Sequence, residues 1–307
     1  MRFTVYIPTF NRKEMLEKAL RSCLEQPGDF EILVSENASA DGSREWLAGL
    51  SDPRVRVIQH STTVDLWSNH NRCLKDVRTP WMMYLHSDEI LESGAIASLF
   101  RGIDLAEELG ASIIIPPERL GDSAGFALSF ASQGLGASSL LSASLIGMFN
   151  PSGLVFRTSD LIRMDGFVIT EEPLIHIERD LVARMAEAGM SWVVIPQNCV
   201  TAEQHGGQDT WRCTRRMWKR GDEWFWRRRT TGGTQFVGAL ELIMERADRV
   251  APAVRRIMGD RLFEFGYFRE GWCLWADGSA REIIRLLVAA CRGCWFKLPG
   301  VQRSLIR

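Results

Sequence analysis

Residues 84–89 read Tyr-Leu-His-Ser-Asp-Glu and close an apolar run just before a helix-like segment. Two carboxylates at a strand end, Asp88 and Glu89, are hard oxygen donors of the kind that hold a divalent cation against a diphosphate. Ser87 or Asp88 also suits an ordinary helix cap. The stretch Ser35-Glu36-Asn37-Ala38-Ser39-Ala40-Asp41-Gly42-Ser43 has two readings as well. Asp41 or Ser43 fits an Asx-type turn leading into a helix, whereas Glu36 is an acceptor for a nucleobase N–H. Pro8-Thr9-Phe10-Asn11-Arg12 is a turn and a helix start, and helix N-termini attract phosphate oxygens. Its lack of Walker or dinucleotide glycine spacing argues against those classes.

The elements around these stretches place them together. Phe3–Ile7, Phe30–Ser35, Val55–Gln59 and Trp81–Leu85 read as buried strands. Between them, helix-like stretches fall at Met15–Leu24, Gly42–Gly49 and Leu66–Val77. Alternation at this spacing predicts right-handed βαβ units and a parallel sheet. Ligands of such sheets bind beyond the strands' carboxyl ends, which puts Pro8–Arg12, Glu36–Ser43 and His86–Glu89 on one rim. Further on, Leu99–Leu109 and Asp180–Glu187 read as helices, and Ala111–Ile115, Leu154–Phe156 and Trp192–Ile195 as strands. The Ser/Gly/Ala-rich segment Gly121–Gly147 reads as a substrate-facing loop with a short helix near Ser138–Ile146.

Charge divides the 307 residues in two. Residues 1–210 carry 17 Lys+Arg against 28 Asp+Glu, and residues 211–307 carry 20 against 10. The seven cysteines are scattered and no secretory signal opens the chain, which fits a reducing, cytoplasmic setting. Cys291-Arg-Gly-Cys294 has zinc-like spacing without a second pair. The most apolar stretch, Ile283–Phe296, is broken by Arg285 and Arg292, so no bilayer span is expected.

Taken in order, Ile7-Pro8-Thr9-Phe10-Asn11-Arg12, Val34 through Ser43, and Leu85-His86-Ser87-Asp88-Glu89 resemble the successive nucleotide-sugar motifs of the family-2 glycosyltransferases. Asn150 through Arg157, Gly166-Phe167, and Glu178 through Gly189 are similar to that family's later motifs, so the resemblance covers residues 1–210. It implies a GT-A-like, Rossmann-type α/β fold with a mostly parallel sheet flanked by helices, followed here by a helical C-terminal extension over 211–307. It also implies transfer of a sugar, with inversion, from a nucleoside-diphosphate sugar (a UDP-sugar is the expected donor) to a glycan or lipid-linked acceptor. The nucleotide-binding positions would be Pro8, Thr9, Asn11, Arg12, Glu36, Asn37, Asp41, Arg72, His86 and Ser87. Asp88 keeps the place of the metal-binding second Asp of the family's Asp-x-Asp motif, and His86 stands where the first Asp usually does. The implied cofactor is a divalent metal, Mn2+ or Mg2+, with His205 as a second contact to metal or diphosphate. Glu178 falls where the family carries its catalytic base, with Asp180 as the alternative; dipole complementation at a helix start suits both acids equally well.

Trp211–Arg229 combines four Trp, seven Arg and one Lys with two acids. A packed helix with snorkelling Arg, contact with an anionic membrane surface on the cytoplasmic face, and nucleic acid binding are the three readings. Nothing resembles a nucleic-acid reading motif, so that partner is not expected. Two other classes stay open: a nucleotide-sugar-binding protein without turnover, and a sugar nucleotidyltransferase, which normally shows a Gly-rich N-terminal loop.

Overall fold

A computed structural model of the chain describes residues 1–117, 136–146, 152–171, 175–203, 215–229, 234–245, 258 and 260. His205, residues 121–135 of the Ser/Gly/Ala-rich segment, Cys213, Cys273 and the Cys291/Cys294 pair lie outside the described residues.

The parallel βαβ start is present. Strand β1 (Phe3–Thr9), helix α1 (Lys13–Leu24), strand β2 (Glu31–Glu36), helix α2 (Ser43–Ala48) and strand β3 (Val55–Gln59) lead to the short helices α3 (Leu66–Asn71) and α4 (Cys73–Asp76) and to strand β4 (Trp81–Tyr84). Every residue of β1 is buried, as befits a central parallel strand covered on both faces. The Leu66–Val77 segment, expected as one helix, is two, with Arg72 between them. Asp65 caps the first, accepting from the backbone N–H of Trp67 and Ser68.

Strand β5 (Glu89–Leu91), helix α5 (Ala95–Leu109), strand β6 (Ile113–Ile115), helix α6 (Ala137–Ile146), strand β7 (Val155–Arg157) and helix α7 (Thr158–Arg163) follow. Helix α8 (Ile177–Glu187), strands β8 (Trp192–Val194) and β9 (Val200–Ala202), and helices α9 (Arg215–Arg229) and α10 (Thr234–Glu245) complete the described chain. The main sheet has seven strands in the order β3-β2-β1-β4-β7-β6-β8, and only β7 runs antiparallel to its neighbours. A second, two-stranded sheet pairs β5 with β9. β9 and α7 have no counterpart in the expected elements, because segments of three and six residues carry too little periodicity to read.

Two cores lie on the two faces of the sheet. One packs α1 and α5 against Phe3, Val5, Ile7, Ile32, Val34 and Met83. The other gathers Tyr6, Met82, Tyr84, Ile113 and Phe156 with α6, α8, α9 and α10. Phe225 and Trp226 of α9 and Phe236, Ala239, Leu240 and Ile243 of α10 belong to this second core. Burying two aromatics such as Phe225 and Trp226 contributes about 1.5–3 kcal/mol each, so these helices are a layer of the fold. The substrate-facing expectation fails for α6: Ser139 through Ile146 are all buried, its serine hydroxyls bonding backbone carbonyls within the core, as Ser142 Oγ does to Ala239 O at 3.0 Å.

Candidate functional site

Order reverses between β1 and β4, since β2 lies to one side of β1 and β4 to the other. Ligand crevices of open α/β sheets form at such switch points. The loop after β1 and the turn after β4 flank it, and one contact joins them: Arg12 Nη1 lies 3.2 Å from Asp88 Oδ2. Asp88 is nearly buried, its side chain 10% exposed. An ionised carboxylate sits in such a place only against positive charge.

The loop after β2 is stitched to the loop after β1. Asn11, at φ 49°, accepts from Ala40 N through Oδ1 (2.8 Å) and donates its backbone N–H to Ser39 Oγ (2.9 Å). Asn tolerates the left-handed region better than other side chains. Asp41 accepts from Lys13 N at 2.8 Å and from Ser43 N and Oγ. Desolvation opposes ionisation of Asp41, but these hydrogen bonds outweigh it and hold its carboxyl below the usual range. Thr9 Oγ1, at the end of β1, is buried without a hydrogen-bond partner among the described residues. Pro8 lies next to it, paired in register with Ser35.

Three of the expected nucleotide contacts are engaged with the protein itself. Glu36 is fully buried; Oε1 accepts from Ser39 N at 2.5 Å and Oε2 from Arg44 Nη1 at 2.8 Å. Asn37 clamps Val64 through two bonds, Nδ2 to Val64 O (2.9 Å) and Val64 N to Oδ1 (3.0 Å). Arg72 donates to Asn37 Oδ1 (2.9 Å) and to Thr62 O (3.1 Å). Glu36, Asn37 and Arg72, expected to face the nucleotide, thus tie the loops after β2 and β3 together through their own hydrogen bonds.

His86 is partly exposed, and its neighbour Ser87 is buried. The His86 backbone N–H donates to Ser152 Oγ at 2.9 Å, a partner that no sequence motif singled out. Its ring meets His70, Nε2 to Nε2, at 3.1 Å. His70 Nδ1 lies 2.7 Å from Leu66 O, which can only accept, so Nδ1 carries the proton. Burial, followed by the neighbouring His86, pushes His70 down to about 3, so its ring is neutral and its Nε2 must accept from His86 Nε2–H. That leaves His86 Nδ1 4.0 Å from Glu89 Oε2. Trp67 and Phe167 stack beside the pair. Phe167 is held by Asn71 on both its N–H (2.8 Å) and its carbonyl (2.7 Å). Gly166 makes this turn at φ 60°, where a Cβ would collide with Asn71 Oδ1.

Glu178 and Asp180 share the first turn of α8, but their surroundings differ sharply. Desolvation raises Glu178 to about 7, against weaker lowering by its own backbone N–H and by Arg179. A carboxylate poised there accepts a proton efficiently near neutrality. Asp180 is fully buried, with Arg184 Nε on Oδ2 at 2.8 Å and Arg228 Nε and Arg229 Nη2 on Oδ1 at 2.8 and 2.6 Å. An acid neutralised by three guanidinium groups is a structural hub, whereas no such ring of cations surrounds Glu178 among the described residues. Asp180→Ala leaves Arg229, 1% exposed, without its closest counter-ion. It is expected to cost about 3–5 kcal/mol of stability in urea unfolding.

Among the described residues no group of three or more His, Cys, Asp or Glu converges as a metal cage. A single carboxylate is still enough where a nucleotide's phosphates and water complete the shell, and Asp88, already facing a cation, fits that role.

Residues 4–122 match the family described as glycosyl transferase family 2. The chain is 31% identical over 104 residues to a GalNAc(5)-diNAcBac-PP-undecaprenol beta-1,3-glucosyltransferase of Campylobacter jejuni, covering 33% of this chain and 34% of that one. The matches span about a third of the length of the curated relatives. In structure the chain resembles S. aureus TarS 1-349 in complex with UDP, with a TM-score of 0.63 and 14% identity over 95% of this chain and 88% of that one. It also resembles the mannosyltransferase PcManGT of Pyrobaculum calidifontis in complex with GDP-Man and Mn2+, with a TM-score of 0.52 and 17% identity over 96% and 81%. The motif residues at the β1/β4 switch point thus lie within residues 4–122, the segment that matches the family described as glycosyl transferase family 2, and in an architecture shared with these two structures.

Proposed function

We propose that the protein transfers a sugar from a nucleoside-diphosphate sugar, a UDP-sugar in the first instance, to an acceptor hydroxyl with inversion at the anomeric carbon. The observation that carries this reading is the Arg12–Asp88 pair at the switch point, within the family-2 segment. Arg12 offers a guanidinium to the diphosphate. Asp88 would hold Mn2+ or Mg2+, with His205 a further proposed contact, and the bound ion would neutralise the departing diphosphate. Thr9 Oγ1 at the same rim is a buried polar atom without a partner among the described residues, and His86 replaces a carboxylate by an imidazole beside the donor. Glu178 removes the acceptor hydroxyl's proton as that oxygen attacks the anomeric carbon; the diphosphate leaves from the opposite face, which is what inverts the centre. A glycan or lipid-linked saccharide is the proposed acceptor class, in cell-surface glycan or lipid-linked oligosaccharide synthesis. Among the described residues no helix is long and apolar enough to cross a membrane; peripheral contact with an anionic inner membrane face through the basic stretch after residue 210 is part of the same proposal.

The test is a thermal-shift panel of UDP, GDP, dTDP and CMP, each with Mn2+, Mg2+ or EDTA. One nucleotide is expected to raise Tm by several degrees, and only with metal: a ligand at about 100-fold its Kd contributes about 2.7 kcal/mol. A flat panel would overturn the reading. Binding without release of sugar to any acceptor would instead make the chain a nucleotide-sugar-binding protein.

A further inference from the structure

Most of the contacts of helix α9 with α8 fall on the segment that carries Glu178, while its last residue, Arg229, also reaches Glu187 at 3.5 Å. The Trp218 ring stands 5.5 Å from that of His176. Gly221 lies so close to Ile175 that a Cβ on it would be 2.5 Å from the Ile175 carbonyl oxygen. Asp222 approaches Arg179 at 3.7 Å, and the Arg179 guanidinium sits 3.9 Å from the centre of the Phe225 ring. Arg228 and Arg229 close on Asp180. On α9 these positions recur every three or four residues and so form one face. On the other side they touch residues 175, 176, 179 and 180, bracketing Glu178, and Arg229 touches Glu187 as well. Arg179 fastens a third helix to the same point, donating to Ser144 O and Leu145 O, both at 2.5 Å, in the last turn of α6, where orphan carbonyls favour a cation.

We propose that α9 is a positioning element of the catalytic centre, clamping residues 175–180 so that Glu178 is held in place and shielded from water. The proposal rests on the reading of Glu178 as base and deepens it. Gly221 supports it from the sequence side: glycine is a poor helix former, and here it permits a backbone approach that no other residue allows. His176 takes the left-handed conformation at φ 76°, uncommon for a non-glycine residue, and its buried Nδ1 has no hydrogen-bond partner among the described residues. The Trp218 contact lies on this strained residue. The charged and titratable groups around Glu178 are His176, Arg179 and Asp180 on its own segment and Asp222, Arg228 and Arg229 on α9. The sequence of α6 contributes none, and Glu241 of α10 is exposed. Burial drives His176 to about 3, so it stays neutral across the working range, and Glu178 is the acid whose titration reports the clamp.

The experiment titrates the full chain by carboxyl 13C NMR, with Glu178→Gln to assign the resonance, in wild type, Gly221→Ala and Arg228→Met. Loosening the clamp should lower the Glu178 midpoint by about one unit in both variants. UDP affinity should stay within about twofold, and sugar transfer from UDP-GlcNAc or UDP-glucose to water or acceptor should fall about tenfold in kcat with KM unchanged. Should Gly221→Ala fail to fold, Arg228→Met decides alone, since its side chain is 37% exposed. A lower Tm with an unmoved Glu178 midpoint would show that α9 merely packs, and would overturn the proposal. Retained turnover in Glu178→Gln would instead sink the base reading, whatever α9 does to the titration.

Discussion

Glu178→Gln is expected to cut sugar transfer by about 10²–10⁴-fold, the usual worth of a positioned general base, while UDP binding stays within about twofold. Gln keeps the shape and can accept a hydrogen bond, but cannot take a proton near neutral pH. The wild type should show kcat/KM falling below pH 7, by about tenfold per unit, because the acceptor must find Glu178 ionised and its carboxyl sits at about 7. Linkage gives a second readout with the opposite sign. The folded chain binds this proton more tightly than the unfolded chain, so Glu178 costs nothing below about 4.5, costs more as pH rises towards 7, and imposes its full penalty above 7. Glu178→Gln should therefore stabilise the protein by roughly 1–3 kcal/mol at pH 8 and leave stability at pH 4 unchanged. Loss of activity together with a gain in Tm at pH 8 distinguishes a base held at a cost from a helix-start acid. An ordinary dipole-complementing Glu would lose stability on neutralisation and leave turnover intact, and that pair of results would remove Glu178 from the mechanism.

Asp88→Ala should abolish the metal-dependent part of nucleotide binding. Titration calorimetry with UDP is the direct measurement, in Mn2+ and in EDTA. Wild type is expected to bind at least tenfold more tightly with metal, and the variant equally weakly in both, since one carboxylate of a phosphate-completed shell cannot be replaced by methyl. Arg12 makes the experiment informative. It lies 3.2 Å from Asp88, so removing the carboxylate releases a guanidinium beside the diphosphate, and the variant's residual affinity in EDTA should equal or exceed that of wild type. Metal-dependent binding that survives Asp88→Ala would leave Asp88 as the ion-pair partner of Arg12 and move the ion elsewhere.

How much of this was legible beforehand follows from what each residue's surroundings contribute. The parallel sheet was readable because β1, β2 and β4 are continuous apolar runs separated by amphipathic helices, a pattern that topology rules convert into one rim of loops. Motif order then marked Asn11, Arg12, Asp88 and Glu178. What linear order could not convey was the use already made of a polar group. Glu36, Asn37 and Arg72 look like ligands in sequence, yet each is engaged by a partner 3 to 35 positions away. Glu178 and Asp180 stand two residues apart with the same charge, but α9 supplies guanidinium groups to the second, so only packing separates acceptor from hub. Charge alone left three readings for the basic stretch 211–229, and it is packing that places Phe225, Trp226 and Arg229 in the main core.

By itself, then, the sequence determined the βαβ framework, the rim on which the motifs gather and the two carboxylates worth testing, because hydrophobic period and motif spacing are local properties of the chain. The tertiary structure alone decided that Asp180, and not Glu178, is the acid that Arg184, Arg228 and Arg229 neutralise, that Asp88 faces Arg12, and that α9 closes over the start of α8. Charge pairing depends on what lies across a gap in space, and residues 180 and 229 meet there only after the chain has folded back on itself.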